Sequence, residues 1–296
     1  MKGGTSLKML IVGASGFVGR HLVHHLQEQG HQVETWGRGK DSNQSVDLLG
    51  PSPLPTGSWD VVYHLAAHSK PGLPWSSELI LQNLAMTARL SDHLETNNPG
   101  CRLIFASSGL VYSASGEPHE ESDPIAPSNA YGLSKQLCEN WLQSVRSNLN
   151  VIIVRAFNQI GPGLPRGLMV TDLMDRIKAG EHPIKMRGRN ATRDYLDIRD
   201  AVVAFEKLSR AELIRGNIFN LCSGNPIRIS DLISAILESM GKSCPVTFQD
   251  LSEDRLIGIN RKIRKELDWS PTISIKESIR HLLESENSMP GSQALA

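Results

Sequence analysis

Tyr131 and Lys135 stand four residues apart in the run Tyr131-Gly132-Leu133-Ser134-Lys135, a spacing that puts both side chains on one face of a helix. An ammonium beside a phenol lowers the phenol's pKa from its ordinary value of about 10, and a proton donor that acts near neutral pH needs that shift. Upstream, Ser107-Ser108-Gly109 ends an apolar run, and the Ser108 hydroxyl is suited to hydrogen-bonding a substrate oxygen. The three residues together read as a proton-transfer site. Taken alone, the Tyr–Lys spacing is equally that of an ordinary helix surface.

A second motif lies near the N-terminus, where Gly13, Gly16 and Gly19 follow the apolar run Met9-Leu10-Ile11-Val12 and precede an amphipathic stretch. A sharp strand-to-helix turn favours glycine, because it needs positive φ and because a phosphate approaches the backbone only where no Cβ intervenes. The free N–H groups of the helix's first turn then face a pyrophosphate. Gly13, Ser15, Gly16, Phe17, Val18 and Gly19 are therefore the expected cradle of a dinucleotide, a tight turn without a ligand being the alternative. After the next strand, Gly37-Arg38-Gly39-Lys40 stands where NAD-binding chains place an acid for the ribose hydroxyls. Arg38 suits a 2′-phosphate, which favours NADP(H) over NAD(H), unless these are two solvated loop charges. Asp47 and Leu48 are expected to flank the adenine, and Leu65, Ala66 and Ala67 to bring the end of a third strand to the same crevice.

The elements that must position these residues alternate. Strands are expected at Lys8 to Val12, Gln32 to Trp36, Asp60 to Ala67 and Arg102 to Ser107, with a hint at Val46 to Leu48. Helices are expected after Gly16, with Val18, Leu22 and Leu26 on one face, and at Leu79 to Leu94 and from Tyr131. This is an α/β pattern, a Rossmann-type doubly wound parallel sheet whose ligands bind beyond the carboxyl ends of the strands. A smaller α/β lobe is expected to follow, with helices at Leu168 to Lys178, Ser230 to Met240, Arg261 to Leu267 and Lys276 to Leu283, and a short strand at Pro245 to Phe248. The expected division gives residues 1–157 and 194–219 to the dinucleotide-binding domain, and 158–193 with 220–296 to the substrate-binding lobe. Asp197 reads as a helix cap with Asp200 complementing the dipole, and the end from Glu284 reads as loosely ordered.

Composition excludes several roles. Lys plus Arg number 31 and Asp plus Glu 31, so the net charge is zero and no basic tract suggests nucleic acid or an anionic membrane. No apolar run reaches transmembrane length, and Met1-Lys2-Gly3-Gly4-Thr5-Ser6 lacks the apolar core of a signal peptide, so a cytoplasmic location is expected. Cys101, Cys138, Cys222 and Cys244 have no metal-ligand spacing and read as buried thiols; His64, His68 and His119 read as satisfied core or loop histidines, and no metal is expected.

The sequence resembles the extended short-chain dehydrogenase/reductase family, the NAD(P)-dependent epimerases, dehydratases and reductases of nucleotide sugars. The resemblance rests on the glycine turn, His64-Leu65-Ala66-Ala67, Ser107-Ser108 before Val111-Tyr112, Tyr131 with Lys135, Arg155-Ala156-Phe157-Asn158, and Arg193-Asp194-Tyr195 leading to Asp200. It implies that Tyr131 is the acid/base, that Lys135 holds the nicotinamide ribose, and that Ser108 holds the substrate oxygen. Asn83 matches a family asparagine, with Met86 where the family has glycine.

Phe157 to Gly163 and Asn220-Leu221-Cys222-Ser223-Gly224 are most similar to a subgroup that reduces GDP-linked 4-keto-6-deoxymannose. The family's dehydratases carry an acid just after the catalytic hydroxyl residue; Gly109 and Leu110 follow Ser108 here, so dehydration is not expected. Asn158 and Arg193 are candidates to hold the sugar and diphosphate. Asn158 is otherwise a turn residue, and Arg193 otherwise a surface partner of Asp194 or Asp197. The family's Arg-Pro segment is replaced by Gln249 to Arg255, leaving Arg255 as the cation. The expected activity is NADPH-dependent reduction of a nucleotide-linked 4-keto-6-deoxyhexose at C4. The alternatives are an NAD-dependent C4 epimerase using the same three residues, and an idle cofactor-binding sensor or scaffold. The family also implies a homodimer through the helices around Leu79 to Leu94 and Tyr131 to Val145.

Overall fold

The computed structural model describes residues 5–39, 42–69, 75–114, 116–145, 149–212 and 218–288. Lys40, the first four residues and the tail from 289 lie outside them. In chain order the elements are β1 (Lys8–Val12), α1 (Phe17–Glu28), β2 (Gln32–Gly37), β3 (Gln44–Ser45), β4 (Val61–His64), α2 (Ser77–Asn97), β5 (Arg102–Ser108), a 3-10 turn (Gly109–Val111), α3 (Ala130–Val145), β6 (Asn150–Ala156), β7 (Asn158–Ile160) and α4 (Met169–Lys178). There follow β8 (Ile184–Met186), β9 (Thr192–Asp197), α5 (Ile198–Arg210), β10 (Ile218–Leu221), β11 (Pro226–Arg228), α6 (Ile229–Ser239), β12 (Val246–Phe248), β13 (Arg255–Leu256), α7 (Arg261–Leu267) and α8 (Ile275–Ser288).

The larger sheet has seven parallel strands in the order β10-β6-β5-β4-β1-β2-β3. Alternation along β1 shows why its whole run is apolar. Met9 and Ile11 enter one core with Leu22 and Leu26 of α1 and Phe205 and Leu208 of α5; Leu10 and Val12 enter the other with Leu90 and Leu94 of α2 and Leu142 of α3. Helix α1 ends where Gly30 takes φ +81, letting the Gly30 and His31 amides close on Gln27 and Leu26.

The smaller lobe holds a four-stranded sheet around β9, a parallel β8–β12 pair, and a third core between α4, α6 and α8. The chain enters this lobe after β6, returns with α5 to pack on the large sheet, leaves again after β10, comes back once more with α7, whose Ile263 and Leu267 enter the same core as α5, and ends with α8 in the small lobe.

Several expectations are corrected. The strand hinted at 46–48 lies two residues earlier, at Gln44–Ser45, and β4 ends at His64, so Leu65 to Ala67 are loop. The stretch 284–288, expected loose, is the last turn of α8. Asp197 does cap α5, accepting from the Arg199 amide at 2.9 Å, and Asp200 lies in the first turn as expected while it also holds the C-terminal segment, accepting from the Thr272 and Ile273 amides at 2.9 Å each. The four cysteines are free thiols, three buried and Cys244 half-buried. Among the described residues no helix is long and apolar enough to cross a membrane, and no group of His, Cys, Asp or Glu is arranged to hold a metal ion.

Candidate active site

Two cavities meet at the carboxyl ends of β1, β4 and β5. One, of about 510 Å³, is lined by Phe17, Val18 and Gly19 of the α1 turn, by Ser108, Tyr131 and Lys135, and by Asn158 and Tyr195 from the small lobe. The other, of about 410 Å³, is lined by Ser15, Arg38, Asp47, Leu48 and Ala66. Gly13, Gly16, Leu65 and Ala67 line both.

The glycines have distinct physical tasks. Gly13 has φ +95, and a Cβ there would stand 2.6 Å from the Ala66 amide nitrogen; one on Gly19 would stand 2.3 Å from the Gly13 carbonyl oxygen. These two let the turn close against the loop that follows β4 and against the start of α1. Gly16 precedes α1 as its cap, with the first-turn amides beyond it and no side chain over them. An elongated dinucleotide suits this arrangement, since the two cavities join across backbone that carries no Cβ.

Arg38 follows β2, as expected, and lines the second cavity. The acid within that strand, Glu34, is committed elsewhere: it accepts from the indole nitrogens of Trp36 at 3.2 Å and Trp59 at 2.9 Å and from the Gln44 amide at 2.9 Å. Asp47 and Leu48 belong to a loop gathered by one side chain, because Arg89 of α2 donates to the Leu48 carbonyl at 3.0 Å and also to those of Gly50 and Ser52. Asn83, one helical stretch earlier, exchanges hydrogen bonds with the His68 backbone at 2.7 and 3.1 Å and donates to Ser134 of α3 at 2.9 Å. Met86 occupies the position of the family glycine and lines the second cavity.

Ser108, Tyr131 and Lys135 are brought together. Ser108 ends β5, and its Oγ accepts from the Leu110 amide at 3.1 Å, so its hydroxyl proton is the group it can offer. Lys135 is 2% exposed; its Nζ donates to the Ala106 carbonyl at 2.6 Å and lies 5.7 Å from the Tyr131 ring centre. Burial pulls this ammonium down to about 8, against Cys138 and Glu139, which favour the charged form. The expected lowering of the Tyr131 phenol is not found. Burial raises it instead, with Cys138 acting in the same direction, and it remains protonated at neutral pH.

The small-lobe candidates divide. Asn158 lines the first cavity and its amide donates to the Asp194 carbonyl at 3.1 Å. Arg193 lines neither cavity. Its guanidinium pairs with the Asp254 carboxylate and donates to the Asp254 carbonyl at 3.0 Å, so the ion partner is neither Asp194 nor Asp197. Arg255 lines a separate open groove with Arg228 and Thr192. Sequence reasoning passed over Gln159, which lines the first cavity with its amide nitrogen buried and without a hydrogen-bond partner. It also passed over Leu168 and Met169 at the start of α4, which an apolar helix pattern does not distinguish from core.

The chain is 29% identical over 301 residues to the GDP-6-deoxy-D-mannose reductase of Pseudomonas aeruginosa, covering 93% of this chain and 96% of that protein. It is 24% identical over 329 residues to UDP-glucose 4-epimerase 2 of Arabidopsis thaliana, covering 93% of each. The solved structure of RMD from Pseudomonas aeruginosa complexed with NADPH superposes with a TM-score of 0.83 at 26% identity, covering 95% of this chain and 97% of that one. The model of the NAD dependent epimerase/dehydratase family matches residues 9–222, and the chain belongs to that family.

Proposed function

We propose that the protein is an NADPH-dependent reductase of a nucleotide-linked 4-keto-6-deoxyhexose. The observation that carries this reading is the convergence of Ser108, Tyr131 and Lys135 on one cavity that runs into the Gly13–Gly16 turn. Gly13, Ser15, Gly16, Phe17, Val18 and Gly19 would hold the pyrophosphate, Arg38 the 2′-phosphate, Asp47, Leu48 and Leu65 to Ala67 the adenosine side, and Lys135 the nicotinamide ribose. When bound, the reduced nicotinamide supplies a hydride to C4.

Tyr131 gives its phenolic proton to the C4 oxygen as that oxygen becomes an alkoxide. An alkoxide is more basic than a phenolate, so a phenol raised by burial still transfers its proton downhill. Ser108 donates to the same oxygen, and the Lys135 ammonium offsets the charge left on the phenolate. Asn158 and Gln159, on the wall of that cavity, would meet the sugar, whereas Arg193, tied to Asp254, and Arg255, on a separate groove, lie outside it and are given no contact with the diphosphate. The absence of an acid after Ser108, where Gly109 and Leu110 stand, disfavours water elimination.

The test is the loss of reduced-nicotinamide absorbance on mixing the protein with GDP-linked 4-keto-6-deoxymannose, run with NADPH and with NADH. Oxidation favouring NADPH supports the reading and the role of Arg38. The similarity to UDP-glucose 4-epimerases supports a second reading, C4 epimerisation with retained NAD. Protein that keeps NAD through purification and interconverts C4 epimers without net oxidation would establish that reading instead. A homodimer through α2 and α3 belongs to the same proposal, with the nucleotide sugar as the small-molecule partner.

A further inference from the structure

Beneath the proton-transfer site lies a carboxylate that the reduction does not use. Glu139 of α3, one helical turn beyond Lys135, is 1% exposed and is absent from the cavity wall. Its carboxylate accepts from Ser107 Oγ, from Arg155 Nε at 3.1 Å and from Arg155 Nη2 at 2.8 Å. Ser107 precedes Ser108 on β5, and Arg155 stands near the end of β6. Arg155 Nη1 reaches on to the Tyr112 hydroxyl at 2.7 Å, which in turn meets Asn220 Oδ1 of β10 at 2.9 Å. One carboxylate thus joins the helix that bears Tyr131 to the strand that bears Ser108. A buried ion pair adds little net stability over apolar residues of the same size, so its place beneath the site is the more informative property.

We propose that Glu139 is a positioning residue: its bonds to Arg155 and Ser107 set the Ser108 end of β5 against α3, and its charge is the counter-ion of the Lys135 ammonium. Among the described residues, the titratable groups whose fields reach this ammonium are Cys138 and Glu139 on α3 and His64 on β4, and the Tyr131 ring centre lies 5.7 Å from it. Burial keeps Tyr131 and Cys138 protonated and His64 neutral. Arg155, on β6, is bound to Glu139 and offsets part of its field. That leaves Glu139 as the anion of the set.

The proposal rests on the reductase reading for its rate effects alone. Its first test needs neither substrate nor cofactor. The Lys135 side-chain carbon resonance is followed by NMR through the neutral and alkaline range in the full chain. Glu139→Gln is expected to lower the Lys135 midpoint by about one pH unit, the effect of removing a close opposite charge. Arg155→Lys keeps a cation but loses the two-pronged bond; it is expected to leave the midpoint in place and lower kcat about tenfold with KM unchanged. A folded Glu139→Gln protein with an unmoved midpoint overturns the counter-ion role. Wild-type kcat in Arg155→Lys overturns the positioning role. If Glu139→Gln does not fold, Glu139→Asp replaces it, with the midpoint expected to hold and kcat to fall; unchanged kcat overturns the proposal. A wild-type chain that binds NADPH but reduces no keto sugar defeats the reductase reading, while a shifted midpoint in Glu139→Gln still supports the counter-ion role.

Discussion

Tyr131 enters the cavity as a protonated phenol with Lys135 one turn behind it, and this pair makes the sharpest claim at the residue scale. Tyr131→Phe keeps the ring and removes the proton, so turnover is expected to fall by about 10²- to 10⁴-fold while the NADPH dissociation constant, read by fluorescence, stays within about twofold. Arg38→Ala is expected to do the reverse. Charge-assisted hydrogen bonds contribute about 1.5–3 kcal/mol, so NADPH affinity should fall roughly tenfold to a hundredfold with NADH affinity unchanged. Equal losses for both cofactors would remove the 2′-phosphate role. That Ser108, Tyr131 and Lys135 would line one cavity was legible because side-chain type and spacing suffice to single them out. Their electrostatics were not. A helical spacing of four suggests ammonium against phenol, but the Ala106 carbonyl that accepts the Lys135 hydrogen bond comes from β5, 29 residues away in sequence. The same holds for Arg193, whose partner Asp254 lies on a segment that no local pattern connects to it.

Among the elements, β4 carries a buried histidine and the glycine turn carries a close helix approach, and each makes a stability claim. Histidines in the unfolded chain take up a proton as the pH falls through about 6.5. His64, fully buried and resting on Thr87 Oγ1 at 3.0 Å, resists until about 3. Between those values the unfolded state binds the extra proton, so stability present above 6.5 is lost as the pH falls, by about 1.4 kcal/mol per pH unit. Urea midpoints measured across this range should fall less steeply in His64→Leu than in wild type. Gly19→Ala places a Cβ against the Gly13 carbonyl, and a cost of about 1–3 kcal/mol with weakened NADPH binding is expected in thermal melts. Strands β1, β2, β4 and β5 and the helices packed on them were readable because each has one period and one burial pattern, whereas β6 and β10 of the same sheet were not anticipated and β3 was expected two residues too late. The short strands of the small lobe were not all readable, since three residues such as Asn158–Ile160 or Pro226–Arg228 are strands only through their pairing with β9.

For the whole molecule, the outer face of α2 poses a question of assembly. Leu81 there is 63% exposed, and Trp75 just before the helix is 62% exposed, on the element proposed to lie between subunits. Sedimentation should show a dimer that Leu81→Glu converts to monomer at micromolar concentration; an unchanged dimer would move the interface off this face. The order in which the molecule comes into being is also set by its topology. Strand β6 is complete at Ala156, yet its outer neighbour β10 begins only at Ile218, after the chain has travelled through the small lobe. During synthesis, β6 is therefore a bare sheet edge around the apolar run Val151-Ile152-Ile153-Val154 for as long as those intervening residues take to emerge, and the nascent chain passes through a period of exposure to mispairing that the finished protein never shows.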